Sequence, residues 1–299
     1  MICPDDFACV TAYFNPVKYV RRRTNYEAFR DALGVPLWTI ECAFGDREFE
    51  LPDDAWTLRV RAPDILWQKE RLLNLAFAKL PARISKIAWV DADVQFDNPD
   101  WASHASRLLD DFQVVQLFER AVRLPPPGTG EPRTTRGFVA RCAERAAPPD
   151  AGRCVHGDTG LAWAARRDLL AHTGLYDACI AGGGDHMMAH ALHGWQASPC
   201  ITRSLQGAHY AHYRSWADAH RERVAGRVAY VPGNALHQWH GRREHRQYSD
   251  RHQILASFDF DPTQDLANSA GGCWAWAGAR PALRAWLVQY FIDRREDDA

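Results

Sequence analysis

The sequence predicts an α/β fold in which a mostly parallel central sheet is flanked by helices. Apolar, β-rich runs alternate with amphipathic helical segments over roughly the first 120 residues, and acidic residues follow one of these runs directly. The predicted strands are residues 7–14, 35–44, 58–60, 84–96 and 112–119. The predicted helices are residues 18–33, 66–80 and 100–110.

Local signals define most of these elements. The first strand, FACVTAYF, is apolar and rich in β-formers, and Asn15-Pro16 ends it. The helix over 18–33 has apolar residues at helical spacing and a stop signal at Gly34. The helix LWQKERLLNLAFAKL is amphipathic and ends before Pro81. The strand ISKIAWVDADVQF is apolar until its acidic residues.

The alternating pattern breaks after the fifth strand. Residues 121–154 are rich in Arg, Pro and Gly, and they predict a long insertion that is either functional or disordered. Order resumes at 157–170, and a Gly-rich acidic loop leads into a helix from about Asp185. We therefore predict a catalytic domain over 1–255 and a C-terminal helical extension over 256–299 that packs on it.

Composition excludes several classes of protein. The 299 residues carry 36 Lys plus Arg against 37 Asp plus Glu, so a uniformly basic nucleic-acid binder is excluded. All but four of the positive charges are arginines. There is no signal-peptide pattern and no apolar run long enough to span a bilayer. The eight cysteines form no C-x-x-C pair, so we expect reduced thiols in a cytoplasmic protein and no structural zinc site.

Asp91 and Asp93 predict a metal site. Both follow the apolar run IAWV, and ligands of open α/β sheets bind beyond the carboxyl ends of strands. In a strand continued to its end, residues i and i+2 point to the same side. Two such carboxylates suit Mg²⁺ or Mn²⁺ carrying a diphosphate. The alternative is a solvated acidic turn.

Five motifs occur in a fixed order across roughly residues 7–250. They are VTAYFNP, KERLLNLAF, IAWVDADVQF, GDTGLAWAARRDLLAHTGLYD and GGGDHMM. In this order the chain resembles the GT-A class of nucleotide-sugar glycosyltransferases, in its family 2-like and galactosyltransferase-like part. The resemblance implies a Rossmann-like GT-A fold. The chain has AGGGDHMM where galactosyltransferases carry a GWxGED-type signature, so the resemblance does not specify the donor sugar.

The resemblance also implies site residues. The nucleoside would be bound by Thr11, Ala12, Tyr13 and Asn15. Asp91 and Asp93 would hold the divalent metal, with Asp91 also touching the ribose or diphosphate. Asp185 would be the catalytic base, and Asp158 is the alternative. His240 would be the third metal ligand, with His237, His209 and His212 as alternatives.

Some further residues have two interpretations each. Lys69 is either a nucleotide contact or a charge on a helix surface. Arg242, with Arg243 and Arg246, is suited to phosphates, but the same residues fit a solvated basic loop. Trp163 lies either in the sugar or acceptor pocket or in the core.

The expected reaction is metal-dependent, inverting transfer of a sugar from a nucleotide diphosphate sugar, with UDP-sugar as donor and Mn²⁺ or Mg²⁺ as cofactor. The acceptor is a glycan hydroxyl or, as in phage-type enzymes, a hydroxymethylated base in DNA. For DNA, the insertion's arginines would follow the phosphates while Trp216 or Trp239 stacks on the base. A sugar nucleotidyltransferase would need a glycine-rich N-terminal loop, which TAYFNPVKYVRRR lacks. A non-catalytic nucleotide-sugar-binding protein is a further alternative.

Overall fold

The computed structural model describes residues 4–144, 156–248 and 250–298. Its strands are β1 (Phe7–Phe14), β2 (Leu37–Phe44), β3 (Thr57–Ala62), β4 (Lys86–Val90), β5 (Val94–Phe96), β6 (Val114–Gln116), β7 (Arg120–Arg123), β8 (Arg133–Arg136), β9 (Ala162–Arg166), β10 (Val228–Tyr230), β11 (Asn234–His237), β12 (Leu266–Asn268) and β13 (Trp274–Trp276). Its α-helices are α1 (Val20–Ala32), α2 (Lys69–Lys79), α3 (Trp101–Asp111), α4 (Phe138–Ala143), α5 (Arg167–Thr173), α6 (Gly184–Leu192), α7 (Pro199–Ser204), α8 (Gly207–Val224), α9 (Asp250–Ser257), α10 (Pro262–Asp265) and α11 (Pro281–Asp293).

The central sheet has seven strands in the order β10-β6-β9-β4-β1-β2-β3. Every neighbouring pair is parallel except the two that involve β9, which runs antiparallel to both β4 and β6. The predicted α/β fold with a mostly parallel central sheet is therefore confirmed. Because β9 is reversed, its N-terminal end lies at the same edge as the C-terminal end of β4.

Helices cover both faces of this sheet, and each face has its own hydrophobic cluster. On one face α2, α5, α6, α8 and α11 contribute apolar side chains, among them Leu72, Met187 and Tyr213. On the other face α1 and α3 contribute Phe29 and Trp101. Because the central strands are buried on both faces, their sequences are continuous apolar runs and do not alternate between apolar and polar residues.

The predicted strand 84–96 is two strands in different sheets. Its first part is β4, and residues 91–94 then form a turn in which Val94 N donates to Asp91 O at 3.2 Å. Its last part is β5, which joins a second sheet of order β5-β11-β7-β8. Apolar character alone could not reveal the break, since the turn keeps the buried Val94.

The predicted insertion is partly regular. Residues 120–144 form β7, β8 and α4, and the β7–β8 hairpin belongs to the second sheet. These strands are short and rich in arginine, so they have no alternating apolar pattern to predict them from. The remainder of the insertion up to residue 154 lies outside the described residues. The long helix α8 falls in a region for which we predicted no element.

The C-terminal residues pack on the rest of the chain. Leu287 and Phe291 of α11 belong to the same hydrophobic cluster as the central sheet. Beyond α11, Val20 N and Arg21 N donate to the carboxylate of Asp297. The packing fits the predicted extension, while a boundary at residue 255 stays a prediction.

Two absences apply to the described residues. None of their helices has the length and apolar character needed to cross a membrane. Their six cysteines form no disulfide with one another.

Candidate active site

Acidic side chains converge at the edge of the sheet where β1 and β4 end and β9 begins. Asp91 follows β4 directly, and its backbone N–H donates to Leu161 O at 2.8 Å. Asp158 precedes β9 at the same edge. Asp185 reaches this edge from the first turn of α6. The reversed β9 thus brings together acids that are far apart in the chain.

Lys69, at the start of α2, neutralises part of this charge. Its Nζ lies 3.0 Å from Asp91 Oδ1 and forms a closer ion pair with Asp185 Oδ2. Glu70 Oε1 is 3.8 Å away. Burial alone would lower the pKa of Lys69, but the three carboxylates raise it well above its ordinary value. The ammonium is therefore charged at neutral pH, and the predicted contact of Lys69 with a nucleotide stays a prediction.

The acids around Lys69 do not ionise equally. Burial raises the pKa of Glu70 to about 8, although Lys69 opposes the shift. Burial also raises the pKa of Asp185, again against Lys69. Glu70 therefore carries a proton at neutral pH, and Trp67 Nε1 donates to its Oε2 at 3.1 Å.

Asp93 points to a different set of partners. Its Oδ2 lies 3.1 Å from His240 Nε2 and 3.7 Å from His237 Nε2, and these two nitrogens are 3.1 Å apart. One potential ligand atom of each residue lies within 4.8 Å of those of the other two, so these three residues have the spacing to hold a metal ion. We call Asp93, His237 and His240 the metal-ligand group. Asp93 Oδ1 is buried and makes no hydrogen bond within the described residues.

The predicted shared metal site of Asp91 and Asp93 needs correction. The strand ends at Val90, and the turn over 91–94 sends the two side chains to different partners. Asp91 pairs with Lys69 and is not a member of the metal-ligand group. It still lies close enough that its charge, after burial, raises the pKa of Asp93, which reaches about 7.

Strand register places His237 beside Asp93. In the β5–β11 pair His237 is opposite Val94, and Gln238 N donates to Asp93 O at 2.9 Å. The predicted alternative ligands His209 and His212 are elsewhere: His212 Nδ1 is 3.2 Å from Tyr176 Oη, and His209 packs on Phe260. They are therefore wrong as ligands of this group.

A buried carboxylate from the C-terminal tail supports His240. Glu296 Oε1 lies 3.9 Å from His240 Nδ1, and the Glu296 side chain is fully buried. Arg22 pairs with Glu296 at 2.5 Å and Arg294 at 2.6 Å. Burial would raise the pKa of Glu296, but these two guanidinium groups hold it well below its ordinary value. Sequence analysis missed Glu296, because it appeared only as part of a charged tail.

Asp185 and Asp158 face each other across Gly160. A Cβ at Gly160 would lie 3.7 Å from Asp185 Oδ2 and 4.0 Å from Asp158 Oδ1. Arg123 forms a close ion pair with Asp158, and Thr135 Oγ1 donates to it at 3.2 Å. Both candidate bases therefore lie at the site, each with a cationic partner.

The glycines before Asp185 have a packing role that we did not predict. Gly183 has φ +104°, which disfavours any side chain. A Cβ at Gly184 would come within 2.5 Å of the Glu70 carboxyl group. These glycines admit neighbouring side chains of the protein itself.

The predicted nucleoside-binding residues are mostly buried at the end of β1. Thr11 is inaccessible and donates to Val90 O at 2.7 Å, so its hydroxyl joins strands and does not face a ligand. Ala12 is half-buried. Tyr13 Oη and Asn15 Nδ2 both donate to Glu50, at 2.6 and 3.0 Å. Glu50 is the member of this group that sequence analysis missed.

Among the three arginines after His240, Arg246 lies against the metal-ligand group. Arg242 is exposed, and Arg243 stacks on Tyr248. Arg246 is buried, donates to Tyr248 Oη at 3.1 Å, and lowers the pKa of Asp93 against burial. Its Nε has no hydrogen-bond partner within the described residues. Of these three arginines, Arg246 alone is buried against the metal-ligand group, and the predicted contact of Arg242 with a phosphate stays a prediction.

The three tryptophans considered for the site, Trp163, Trp216 and Trp239, each make contacts within the protein. Trp163 is fully buried in the core, so it does not line an open pocket. Trp216 stacks on His220 and donates to Thr173 O, which leaves it unavailable to a flipped base. Trp239 is half-buried and donates to Asp298 O.

Comparison with known proteins gives matches among solved structures alone, since no family model and no curated protein matches the chain. The catalytic domain of Drosophila β1,4-galactosyltransferase 7, in complex with xylobiose, matches with 13% identity and a TM-score of 0.33. The match covers 63% of this chain and 61% of that one, so this chain spans only part of the Drosophila domain.

Two further structures match over more of the chain. A glycosyltransferase involved in glycosylation of the major capsid of PBCV-1 matches with 10% identity and a TM-score of 0.33. The match covers 83% of this chain and 98% of that one. A mycobacterial protein matches with 15% identity and a TM-score of 0.40, and the match covers 90% of this chain and 82% of that one. At these identities and TM-scores the matches carry no argument about the fold or the activity of this chain.

The first prediction concerns Lys69. In Lys69→Met, we expect the free energy of unfolding at about pH 8 to fall by about 3–5 kcal/mol, because buried carboxylates lose their counter-charge. The loss should shrink toward about pH 5.5. Carboxylates with raised pKa values hold more protons in the folded than in the unfolded state, so stability falls as pH rises.

Urea denaturation at the two pH values measures both effects. Lys79→Met, at the exposed end of the same helix, is the matched control and should change stability by less than about 0.5 kcal/mol. A destabilisation of Lys69→Met that does not depend on pH would contradict the charge-neutralising role.

Proposed function

We propose that the protein is a metal-dependent, inverting glycosyltransferase that moves a sugar from a nucleotide diphosphate sugar, with UDP as the favoured nucleotide, to the hydroxyl of a glycan. One observation carries this proposal: the Asp93–His237–His240 group lies next to the Asp91–Lys69–Asp185 ion-pair network at the ligand-binding edge of the sheet. A cation site and a base are thus adjacent.

The residues present fit a divalent transition metal. Asp93 Oδ1 is a buried oxygen that accepts no hydrogen bond from the described residues, and two imidazole nitrogens face each other beside Asp93 Oδ2. Imidazole favours transition metals over Mg²⁺, so the two histidines favour Mn²⁺ within the predicted pair of ions. When bound, the metal would neutralise the diphosphate leaving group. Arg246, which lies beside Asp93, would supply further positive charge to the diphosphate.

Asp185 is the proposed base. The acceptor oxygen attacks the anomeric carbon while the bond to the phosphate oxygen breaks, and the electron pair leaves with the diphosphate. The proton of the acceptor hydroxyl passes to Asp185. Its pKa, raised by burial, makes the carboxylate a stronger base, while Lys69 holds it in place. One in-line displacement inverts the anomeric centre.

Tyr13, Asn15 and Glu50 are proposed to receive the nucleoside. They form a hydrogen-bonded group at the end of β1, with Glu50 also paired to Lys18 at 2.9 Å. The carboxylate of Glu50 can accept hydrogen bonds from ribose hydroxyls or a base N–H. Thr11 has no proposed contact with the nucleoside, because its hydroxyl donates to Val90 O between the strands.

The observations favour a glycan acceptor over DNA. Arg123, Arg136 and Arg141 of the predicted insertion pair with carboxylates of the protein, and the half-buried Trp216 packs against the core and donates to Thr173 O. Arg145 and Arg153 lie outside the described residues. Hydroxymethylated DNA is the alternative acceptor and is included in the acceptor screen described next.

A donor and acceptor screen tests the function. The purified chain is incubated with a panel of nucleotide sugars, Mn²⁺ and either glycans or hydroxymethylated duplex DNA, and released nucleoside diphosphate is measured. Metal-dependent release that is lost in Asp93→Asn supports the proposal. Release of pyrophosphate from a nucleoside triphosphate and a sugar phosphate would instead identify a nucleotidyltransferase.

The second prediction concerns metal and nucleotide together. We expect UDP with Mn²⁺ to raise the melting temperature, corresponding to about 2.7 kcal/mol at a ligand concentration about 100 times Kd. UDP without metal should have a much smaller effect, since the anionic edge repels the diphosphate. Asp93→Asn and His240→Gln should lose the metal-dependent part, whereas His104→Gln on α3 is the control. Equal stabilisation with and without metal would contradict the site.

The third prediction concerns Glu296. In Glu296→Gln we expect Mn²⁺ affinity to fall about 10–100-fold, because His240 loses the carboxylate behind its ring. Asp298→Asn, an exposed tail residue, should leave the affinity unchanged. Isothermal titration with Mn²⁺ and far-UV circular dichroism separate a positioning role from unfolding. A folded Glu296→Gln protein with wild-type Mn²⁺ affinity would refute it.

The fourth prediction concerns the base. Asp185→Asn should lower kcat by about 10²–10⁴ because the acceptor proton has no carboxylate to go to. KM for the donor should change much less. Asp158→Asn tests the alternative base. NMR assignment of the product anomer should show inversion, and retention would remove the proposed role of Asp185.

A further inference from the structure

A second group of metal-ligating side chains lies behind the two candidate bases. His186 and His190 are one turn apart on α6, His156 precedes β9, and Cys200 is in the first turn of α7. One nitrogen of each histidine and the Cys200 sulfur all lie within 4.8 Å of one another. We call these four residues the His₃Cys group.

Hydrogen bonds orient two of its imidazoles toward the centre of the group. His190 Nδ1 lies 2.9 Å from His186 O, and His156 Nδ1 lies 3.0 Å from Gly157 O. A carbonyl oxygen can only accept, so both rings carry their hydrogen on Nδ1, and each Nε2 has a free lone pair. His190 Nε2 is 3.1 Å from Cys200 Sγ. Metal-binding histidines almost always have this arrangement, with the distal N–H donated to a carbonyl or carboxylate.

The dimensions suit a small tetrahedral ion. With Zn–N of about 2.0–2.1 Å and Zn–S of about 2.3 Å, neighbouring ligand atoms are about 3.3–3.6 Å apart. The His190–Cys200 pair, at 3.1 Å, is already near this spacing, and no pair needs to close by more than about 1.5 Å. Imidazole and thiolate donors favour Zn²⁺ over Mg²⁺ or Mn²⁺.

The surroundings are apolar and aromatic. His190 is fully buried, and Phe138 packs against both His190 and His156 with ring centroids 5.4 and 5.7 Å apart. Trp195 lies 6.3 Å from His190. Such a shell excludes water and favours retention of a bound ion.

We propose that His156, His186, His190 and Cys200 bind one structural Zn²⁺, independently of the catalytic metal-ligand group. The ion would join three segments: the one that leads to β9, helix α6, and the first turn of α7. His156 is two residues from Asp158, and His186 is next to Asp185. Zinc would therefore fix the two candidate bases relative to each other.

This proposal goes against the expectation from cysteine spacing. We expected no structural zinc site because the chain has no C-x-x-C pair, but this group has a single cysteine and an i, i+4 histidine pair. The alternative is a packed cluster of neutral rings in which the Cys200 S–H donates to His190 Nε2. The two states differ in whether the sulfur binds a metal.

Cobalt spectroscopy of the full chain tests for that bond. Metal-free protein titrated with Co²⁺ should develop a thiolate-to-cobalt charge-transfer band that saturates at one equivalent. Cys200→Ser should abolish the band, and Cys142→Ser is the matched control that should keep it. The catalytic group has no cysteine, so Asp93→Asn should also keep the band. Absence of the band in the wild-type protein would overturn the proposal.

Zinc affinity gives a second measurement. Competition with a chromogenic chelator should show that His190→Gln weakens Zn²⁺ binding about 100-fold or more. His193 is three residues after His190 and is not a member of the group, so His193→Gln should keep wild-type affinity. Circular dichroism of each variant checks that it is folded. Equal zinc affinity of wild-type protein and folded His190→Gln would refute the site, whatever the outcome of the transferase assays.

Discussion

The candidate site depends on a single buried ammonium group among acids. Lys69 Nζ contacts Asp91 and Asp185 and has Glu70 nearby, so one positive charge opposes three carboxyl groups. A compact point charge on a flexible stem can serve several acids at once, which a planar guanidinium does less well. Because Glu70 holds its proton at neutral pH, these four side chains sum to one negative charge. The balance of charge around Lys69 is therefore negative, which is the electrostatic basis of the metal-dependent function proposed above.

The direction of one strand determines which acids meet there. In a wholly parallel sheet this edge would collect only residues that follow strands. The reversed β9 adds residues that precede a strand, and so Asp158 and Gly160 come to lie beside Asp91 and Asp185. Residues 91–94 then turn the chain from the central sheet into the second sheet. In the second sheet, the register of β5 and β11 places His237 opposite Val94 and so next to Asp93.

Local sequence was sufficient for part of this arrangement and insufficient for the rest. The apolar run before Asp91 and the glycines before Asp185 are local signals, and they identified two acids that the structure brings together at Lys69. The turn that separates Asp91 from Asp93 was not predicted, because the apolar residues on both sides of these acids were assigned to one continuous strand. His237 and Glu296 reach the site through contacts with residues far away in the chain. Such pairings are set by tertiary packing, which neither spacing nor composition encodes.

The buried ions of the C-terminal tail are an inefficient way to stabilise a fold. Desolvating Arg22, Arg294 and Glu296 costs several kcal/mol per ion, and apolar side chains of similar volume often stabilise as well or better. What an apolar replacement could not do is present a carboxylate to His240 Nδ1. An oriented carboxylate fixes the ring and its tautomer, and it raises the basicity of the nitrogen that faces Asp93. We infer that the tail is held by charges because its contribution is the orientation of a ligand, with stability secondary to that.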